Sequence, residues 1–307
     1  MISIIIPVHN RADLLELTLT SIKRQLGIAY EIIVIDDNSS DIDIENITLQ
    51  KGAIYLKNET NLGAQKSRNK GVMYSKYDYI AFLDSDDLWF DTSKLLKQYE
   101  VLTFHQDISI VYTSLEYIDA NEQLISRQST TPDIIHNNFI KTILKKDIIG
   151  TYSSVMIRKS DFINAGMCNT NLPARQDWDL WIRLSILGNA YKLGYCFTQY
   201  RIHENQISSA HEKKIDGFAQ LLLNHKNLFK RHKIILTFHK HLLKLILLST
   251  IQNSTSINYQ DLMKQEFPFS ALYIGIAKFV KFLLTLPIAG WPIKKLLAST
   301  YLFKGLQ

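Results

Sequence analysis

Three carboxylates within four positions close an apolar run in Tyr79-Ile80-Ala81-Phe82-Leu83-Asp84-Ser85-Asp86-Asp87. Carboxylates packed this closely repel one another, and a bound divalent cation relieves that repulsion. The Asp-x-Asp spacing offers hard oxygen ligands to Mg²⁺ or Mn²⁺, which keep coordination positions open for substrate phosphates. The competing reading is a solvated turn, with an Asp capping a helix that begins near Thr92. A second acidic terminus, Asp36-Asp37-Asn38-Ser39-Ser40, follows the apolar run at residues 31–35.

These groups need a scaffold that brings separated termini together. A short apolar run ended by polar residues marks a buried strand of a parallel sheet. Its acids then lie at the carboxyl end, the edge where open α/β sheets bind ligands. A β-branched strand over 3–8 is followed by His9-Asn10-Arg11. Asp13 is placed to cap a helix through about Gln25, with Leu14, Leu15, Leu17, Leu19 and Ile22 available for its buried side. Strands follow over 31–35, 53–57 and 79–83. Asn61-Leu62-Gly63-Ala64 leads into a helix carrying Lys66, Arg68 and Lys70. This alternation predicts a doubly wound α/β sheet. Beyond it, strands are expected over 108–113, 154–158, 191–195 and 197–201, and helices over 136–145 and 177–187. Trp178, Leu180, Trp181, Leu184 and Leu187 fall at helical spacing in the last of these.

With 46% hydrophobic and 21% charged residues, the 307-residue chain is globular rather than disordered. Cys168 and Cys196 have no metal-ligand spacing, which fits packing roles in a reducing compartment. The chain enters its first strand at Ile2 with no basic stretch and long apolar core, so a cytoplasmic protein is expected. Charge is uneven. From His211 onward there are 14 Lys and Arg against 4 Asp and Glu, whereas the first 210 residues hold 21 against 25. The basic tail calls for an anionic neighbour. Lys233, Thr237, Lys240 and Lys244 make one polar stripe on an apolar helix, and Lys278, Lys281 and Thr285 another over 271–286. Packing against the main domain and lying in a membrane interface both suit such helices.

Four stretches taken in order, Ser3-Ile4-Ile5-Ile6-Pro7-Val8-His9-Asn10-Arg11, Ile35 through Ser40, Asn61-Leu62-Gly63 through Arg68-Asn69, and Leu83 through Asp87, resemble the inverting family 2 glycosyltransferases of GT-A fold. The resemblance covers about the first 90 residues, and resumes at Arg175-Gln176-Asp177-Trp178-Asp179 and at Tyr200-Arg201-Ile202-His203. It implies a GT-A domain over 1–209, with a nucleotide-binding half over about 1–90 and an acceptor half over 91–209. A helical basic extension occupies 210–307. It implies a metal-dependent transferase of envelope polysaccharide synthesis, moving a sugar from a nucleotide-sugar donor, UDP-linked, to a glycan or lipid-linked acceptor. The cofactor is Mg²⁺ or Mn²⁺, held by Asp86 and Asp84 with His203 as a further ligand or diphosphate contact. Pro7, His9 and Asp37 line the base pocket, Arg68 complements the nucleotide's charge, and Asp84 tends toward the ribose.

The resemblance makes Asp177 the general base, since an acceptor hydroxyl must lose its proton to attack the anomeric carbon. Asp179 is the rival, and a plain helix-start residue favoured by the dipole is the other reading of Asp177. The family's usual pair at this place is Glu-Asp; Gln176-Asp177 keeps the base and removes an acidic neighbour. The partners expected are the donor, the acceptor and an anionic membrane surface at the inner face, with no nucleic acid. A nucleotidyltransferase would carry a Gly-rich basic loop after the first strand, and Val8-His9-Asn10-Arg11 has no glycine. A non-catalytic membrane-associated scaffold would have no use for Asp84, Asp86 and Asp177.

Overall fold

The computed structural model describes residues 1–241 apart from 42, 130, 204–210 and 239. The helix expected over 271–286, and Lys244, lie outside the described residues. Packing divides the chain into two units, Met1–Asn171 with Gln176–Ser209, and Leu172–Arg175 with Ala210–Gln307.

In the first unit, strand β1 (Ile2–Val8) is buried along its whole length. It pairs in parallel with β2 (Tyr30–Asp36) on one side and β4 (Tyr79–Phe82) on the other, and β3 (Ile54–Lys57) lies parallel beyond β2. Helices cover both faces, which is why β1 is continuously apolar rather than alternating. Ile2, Ile4 and Ile6 share a core with Leu15, Leu19 and Ile22 of α1 (Ala12–Ile22). On the opposite face, α3 (Ala64–Tyr74) follows α2 (Asp43–Gln50) and sets Gly71 against Ile5 and Ile35.

The sheet then becomes mixed. Beyond β4 the order continues with β9 (Val155–Arg158), β6 (Ile108–Ile118), β10 (Asn189–Arg201) and β5 (Leu88–Trp89). β9 is antiparallel to both β4 and β6, β10 runs parallel to β6, and β5 is antiparallel to β10. Two short strands, β7 (Leu124–Arg127) and β8 (Ile134–His136), pair with β6 and β10. Helices α4 (Lys94–Phe104), α5 (Phe139–Lys145), α6 (Lys159–Asn164) and α7 (Gln176–Leu184) complete this unit, and α8 (His211–Arg231) belongs to the second. The doubly wound α/β class read from the sequence is the one observed.

Several local expectations change. Asp13 does not cap α1; the amide of Ala12 instead donates to Asp41 Oδ2 at 3.2 Å, a contact across the fold. α1 ends at Ile22, short of Gln25, whose side chain reaches across to Asp91 O and Leu95 N. His136 is strand rather than helix, because Ala190 of β10 offers it a backbone partner. The two strands expected over 191–195 and 197–201 are one strand with register shifts near Cys196. Lys233 lies at a turn with φ 58°, off the helix that was to carry it with Thr237 and Lys240.

The close approach of α3 to β1 and β2 makes Gly71 sensitive. A Cβ there would come within 2.5 Å of Ile35 Cδ1 and 2.7 Å of Ile5 Cγ2. Gly71→Ala is expected to overpack this layer and destabilise the protein by about 1–3 kcal/mol in denaturant unfolding. An unchanged midpoint would mean that the layer is looser than its geometry.

Candidate active site

The parallel strands deliver their carboxyl ends to one edge. Val8 pairs with Asp36, and the amide of Leu83 reaches Ile5 O at 3.1 Å. Pro7 and His9, Asp36 and Asp37, and Asp84 to Asp87 therefore leave the sheet side by side.

The acidic cluster after β4 is not left to repel itself. Asp84 is ion-paired with Arg68, and Asp86 with Arg11. His203 Nε2 lies 3.0 Å from Asp86 Oδ2, the same oxygen that Arg11 engages. Asp87 is 1% exposed and serves the backbone. It accepts from Ser153 Oγ at 2.5 Å and from the amide of Arg201 at 3.0 Å. Burial pushes its carboxyl well above the usual carboxylate range, and the charges of Asp86 and Asp84 add to the effect. Ser153 Oγ also accepts the amide of Asp84 at 3.0 Å. Arg201, 1% exposed, reaches Asp86 O through Nε at 3.0 Å and Ala120 O through NH1 at 3.1 Å. Ser153 and Arg201 thus hold the main chain at the acidic turn from both sides. Neither was assigned a role from sequence. Arg201 was visible only as part of the Tyr200-Arg201-Ile202-His203 stretch, and nothing local marks Ser153.

Arg68 is almost fully buried on α3, with its guanidinium carbon 4.0 Å from the ring centroid of Tyr152. Burial, the largest influence, would lower its pKa, but the Asp84 carboxylate together with Tyr152 and Cys168 raises it above the usual arginine value. Its charge is committed to Asp84, so it orients that carboxylate from beneath. Tyr152 is pushed up by burial and by the Cys168 thiol, is opposed by Arg68, and also feels the charge of Asp177. Asp177 is partly exposed, and one of its oxygens accepts the amide of Trp178 at 2.7 Å. Asp179 is 1% exposed and ion-paired with Arg183 at 2.7 Å. The rival carboxylate is therefore spent on the fold. Trp178 and Trp181 are core residues, Trp178 donating to Ile143 O at 2.8 Å.

At the other end of the edge, Asp37 is 4% exposed. Its Oδ1 accepts from Asn58 Nδ2 and Leu62 N, both at 2.8 Å, and its Oδ2 from Gly63 N at 2.7 Å. It thereby fixes the turn into α3, where Gly63 takes φ 86°. His9 is exposed, and Asn10 Nδ2 lies 3.1 Å from its Nε2. Because Asn10 Oδ1 is taken by the amide of Ser40, the Asn10 amino group is what faces His9. Asn61 Nδ2 also lies 3.2 Å from the same ring nitrogen.

Among the described residues no three His, Cys, Asp or Glu side chains are grouped to hold a metal by themselves. Asp84 and Asp86 each keep one oxygen outside their ion pairs, Oδ2 and Oδ1 respectively. Two half-committed carboxylates suit a hard cation that takes its other ligands from phosphate and water.

The family model described as glycosyl transferase family 2 matches residues 3–164. The chain is 34% identical over 220 residues to TuaG of Bacillus subtilis, whose name assigns it provisionally to teichuronic acid biosynthesis. That alignment covers 68% of this chain and 82% of TuaG. It is 26% identical over 227 residues to the Escherichia coli UDP-Glc:alpha-D-GlcNAc-diphosphoundecaprenol beta-1,3-glucosyltransferase WfgD, covering 70% and 82%. Among solved structures, S. aureus TarS 1-349 in complex with UDP-GlcNAc is similar in fold, with TM-score 0.63 and 16% identity. The match covers 93% of this chain and 81% of that one.

Ser153→Ala would leave the buried Asp87 short of a donor and the partly buried Asp84 amide without its acceptor. The expected cost is about 1–3 kcal/mol of stability, read from the denaturant midpoint. A loss below about 0.5 kcal/mol would show that the acidic turn does not depend on this hydroxyl.

Proposed function

The chain belongs to glycosyl transferase family 2, and on that premise we propose that it moves a sugar, with inversion, from a UDP-linked donor to a lipid-linked glycan in envelope polysaccharide synthesis. One observation carries this reading. The strand ends bring Asp37, Asp84 and Asp86 to one edge, where Arg68 pairs with Asp84 and Arg11 with Asp86. The names of WfgD, with its UDP-Glc donor and diphosphoundecaprenol acceptor, and of the TarS complex with UDP-GlcNAc support the donor and acceptor classes.

The uracil-type base lies against Pro7 and His9. Asp37 Oδ2, which accepts one amide, has a lone pair left for an imide N–H, and the exposed His9 ring borders the same pocket. Asp86 and Asp84, with His203 beside them, hold Mg²⁺ or Mn²⁺. When bound, the cation supplies Lewis-acid neutralisation of the departing diphosphate. Arg68, ion-paired with one oxygen of Asp84, holds that carboxylate in place for the donor.

In the transfer, Asp177 takes the proton of the acceptor hydroxyl. The oxygen attacks the anomeric carbon from the face opposite the diphosphate, and the carbon–oxygen bond to UDP breaks with its electron pair leaving on the phosphate. The amide of Trp178 stabilises the Asp177 carboxylate as a hydrogen-bond donor, at the N-terminal turn of α7. Peripheral attachment of the basic second unit to the inner face of the membrane would hold the enzyme where a lipid-linked acceptor is confined. Among the described residues, no helix is long and apolar enough to cross a membrane.

UDP release from UDP-Glc and UDP-GlcNAc, with a lipid-linked acceptor present, tests the transfer. Asp177→Asn should leave donor KM nearly unchanged and cut turnover by roughly 10²–10⁴. Asp179→Asn removes the charge that pairs with Arg183 and should act on stability first. If Asp179→Asn abolishes turnover of folded protein while Asp177→Asn does not, the base has been assigned to the wrong carboxylate.

A further inference from the structure

The end of α8 closes with two hydrogen bonds in a Schellman arrangement. The amide of Lys233 donates to Lys230 O at 3.1 Å, and that of Ile234 to Phe229 O at 3.0 Å. This motif places one residue in the left-handed region, where glycine is favoured. Here that residue is Lys233, at φ 58°. After the turn, residues 235–238 and 240–241 are helical. Phe238 and His241 come back onto Phe229, with ring centroids 5.2 and 6.2 Å away, and His241 also meets Phe218 at 5.6 Å. The aromatic side of the turn is thereby internal. Lys230, Arg231, Lys233, Leu236 and Lys240 are exposed, with Leu236 at 82%, while His232, Ile234, Ile235 and Thr237 are half-buried. No Asp or Glu occurs in sequence between residues 217 and 260.

We propose that this turn is the surface through which the protein contacts anionic lipid headgroups, an inference that rests on the membrane reading above and gives it a place. Lys230, Arg231 and Lys233 are exposed at the turn, and Leu236 and Lys240 are exposed on the helix that follows it. The cations match the negative surface of a membrane, and Leu236 can enter the boundary between headgroups and acyl chains. A nucleic acid would use the cations but would gain nothing from an exposed leucine. Lys233 sits at a left-handed position that glycine would suit better, and its side chain is exposed.

The test is co-sedimentation of the full-length protein with phosphatidylcholine vesicles, with and without phosphatidylglycerol. Wild type should bind only the anionic vesicles and be released by salt. Substituting Lys230, Arg231, Lys233 and Lys240 with Gln should lower the partition coefficient roughly 10²–10³-fold. Replacing Lys278, Lys281 and Lys294, outside the turn, should lower it less. Lys233→Gly separates binding from folding, since it relieves the left-handed strain. It should keep or raise the unfolding midpoint while weakening vesicle binding. If the four-residue variant binds like wild type, the turn is not the contact surface, although the membrane reading survives. If wild type ignores anionic vesicles and binds an RNA oligonucleotide, both fail. UDP release from the donor is read separately and depends on neither result.

Discussion

Crowding of negative charge at the end of β4 is the constraint around which the first unit is built. Asp84, Asp86 and Asp87 occupy four positions, and left alone they would resist being brought together. The protein answers each one differently. Asp84 is paired with Arg68, which is buried and lies against Tyr152. Asp86 meets Arg11 and His203. Asp87 is withdrawn into the fold, where Ser153 and the Arg201 amide take its oxygens. The result is a turn in which two carboxylates keep an oxygen free for a ligand while the third holds the backbone.

That arrangement ties distant parts of the chain to one edge. Arg11 follows β1, Arg68 sits on α3, Ser153 lies in the short 3₁₀ segment before β9, and Arg201 ends β10. A shift in any of these elements would be felt at the carboxylates. Arg68 in turn lies over the Tyr152 ring, so the same 3₁₀ segment meets the acidic edge through Tyr152 as well as through Ser153.

Much of this was legible in the sequence where burial is continuous. β1, β2 and β4 are apolar on both faces, so runs such as Ile2 to Ile6 declare themselves, and the acids that end them mark the functional edge. That Asp179 would be the carboxylate spent on the fold needed the structure, which buries it against Arg183. Elements defined by non-local pairing were hidden. All four residues of β7 are exposed and show no alternation, and β8 is a strand only because β10 lies beside it. The partners of the acids were hidden for the same reason. Arg11 and Asp86 are 75 positions apart, and the Ser153 hydroxyl that serves Asp87 is 66 away. Spacing alone cannot show which arginine will be committed to the fold and which left for a ligand.

Calorimetric titration of UDP into the wild-type protein and Asp86→Asn, each with and without Mn²⁺, tests the donor site most directly. UDP should bind the wild type more tightly when Mn²⁺ is present, and Asp86→Asn should lose that gain while keeping the metal-independent part contributed by Asp37 and His9. Equal UDP affinity in all four conditions would contradict a metal-assisted donor site at the end of β4.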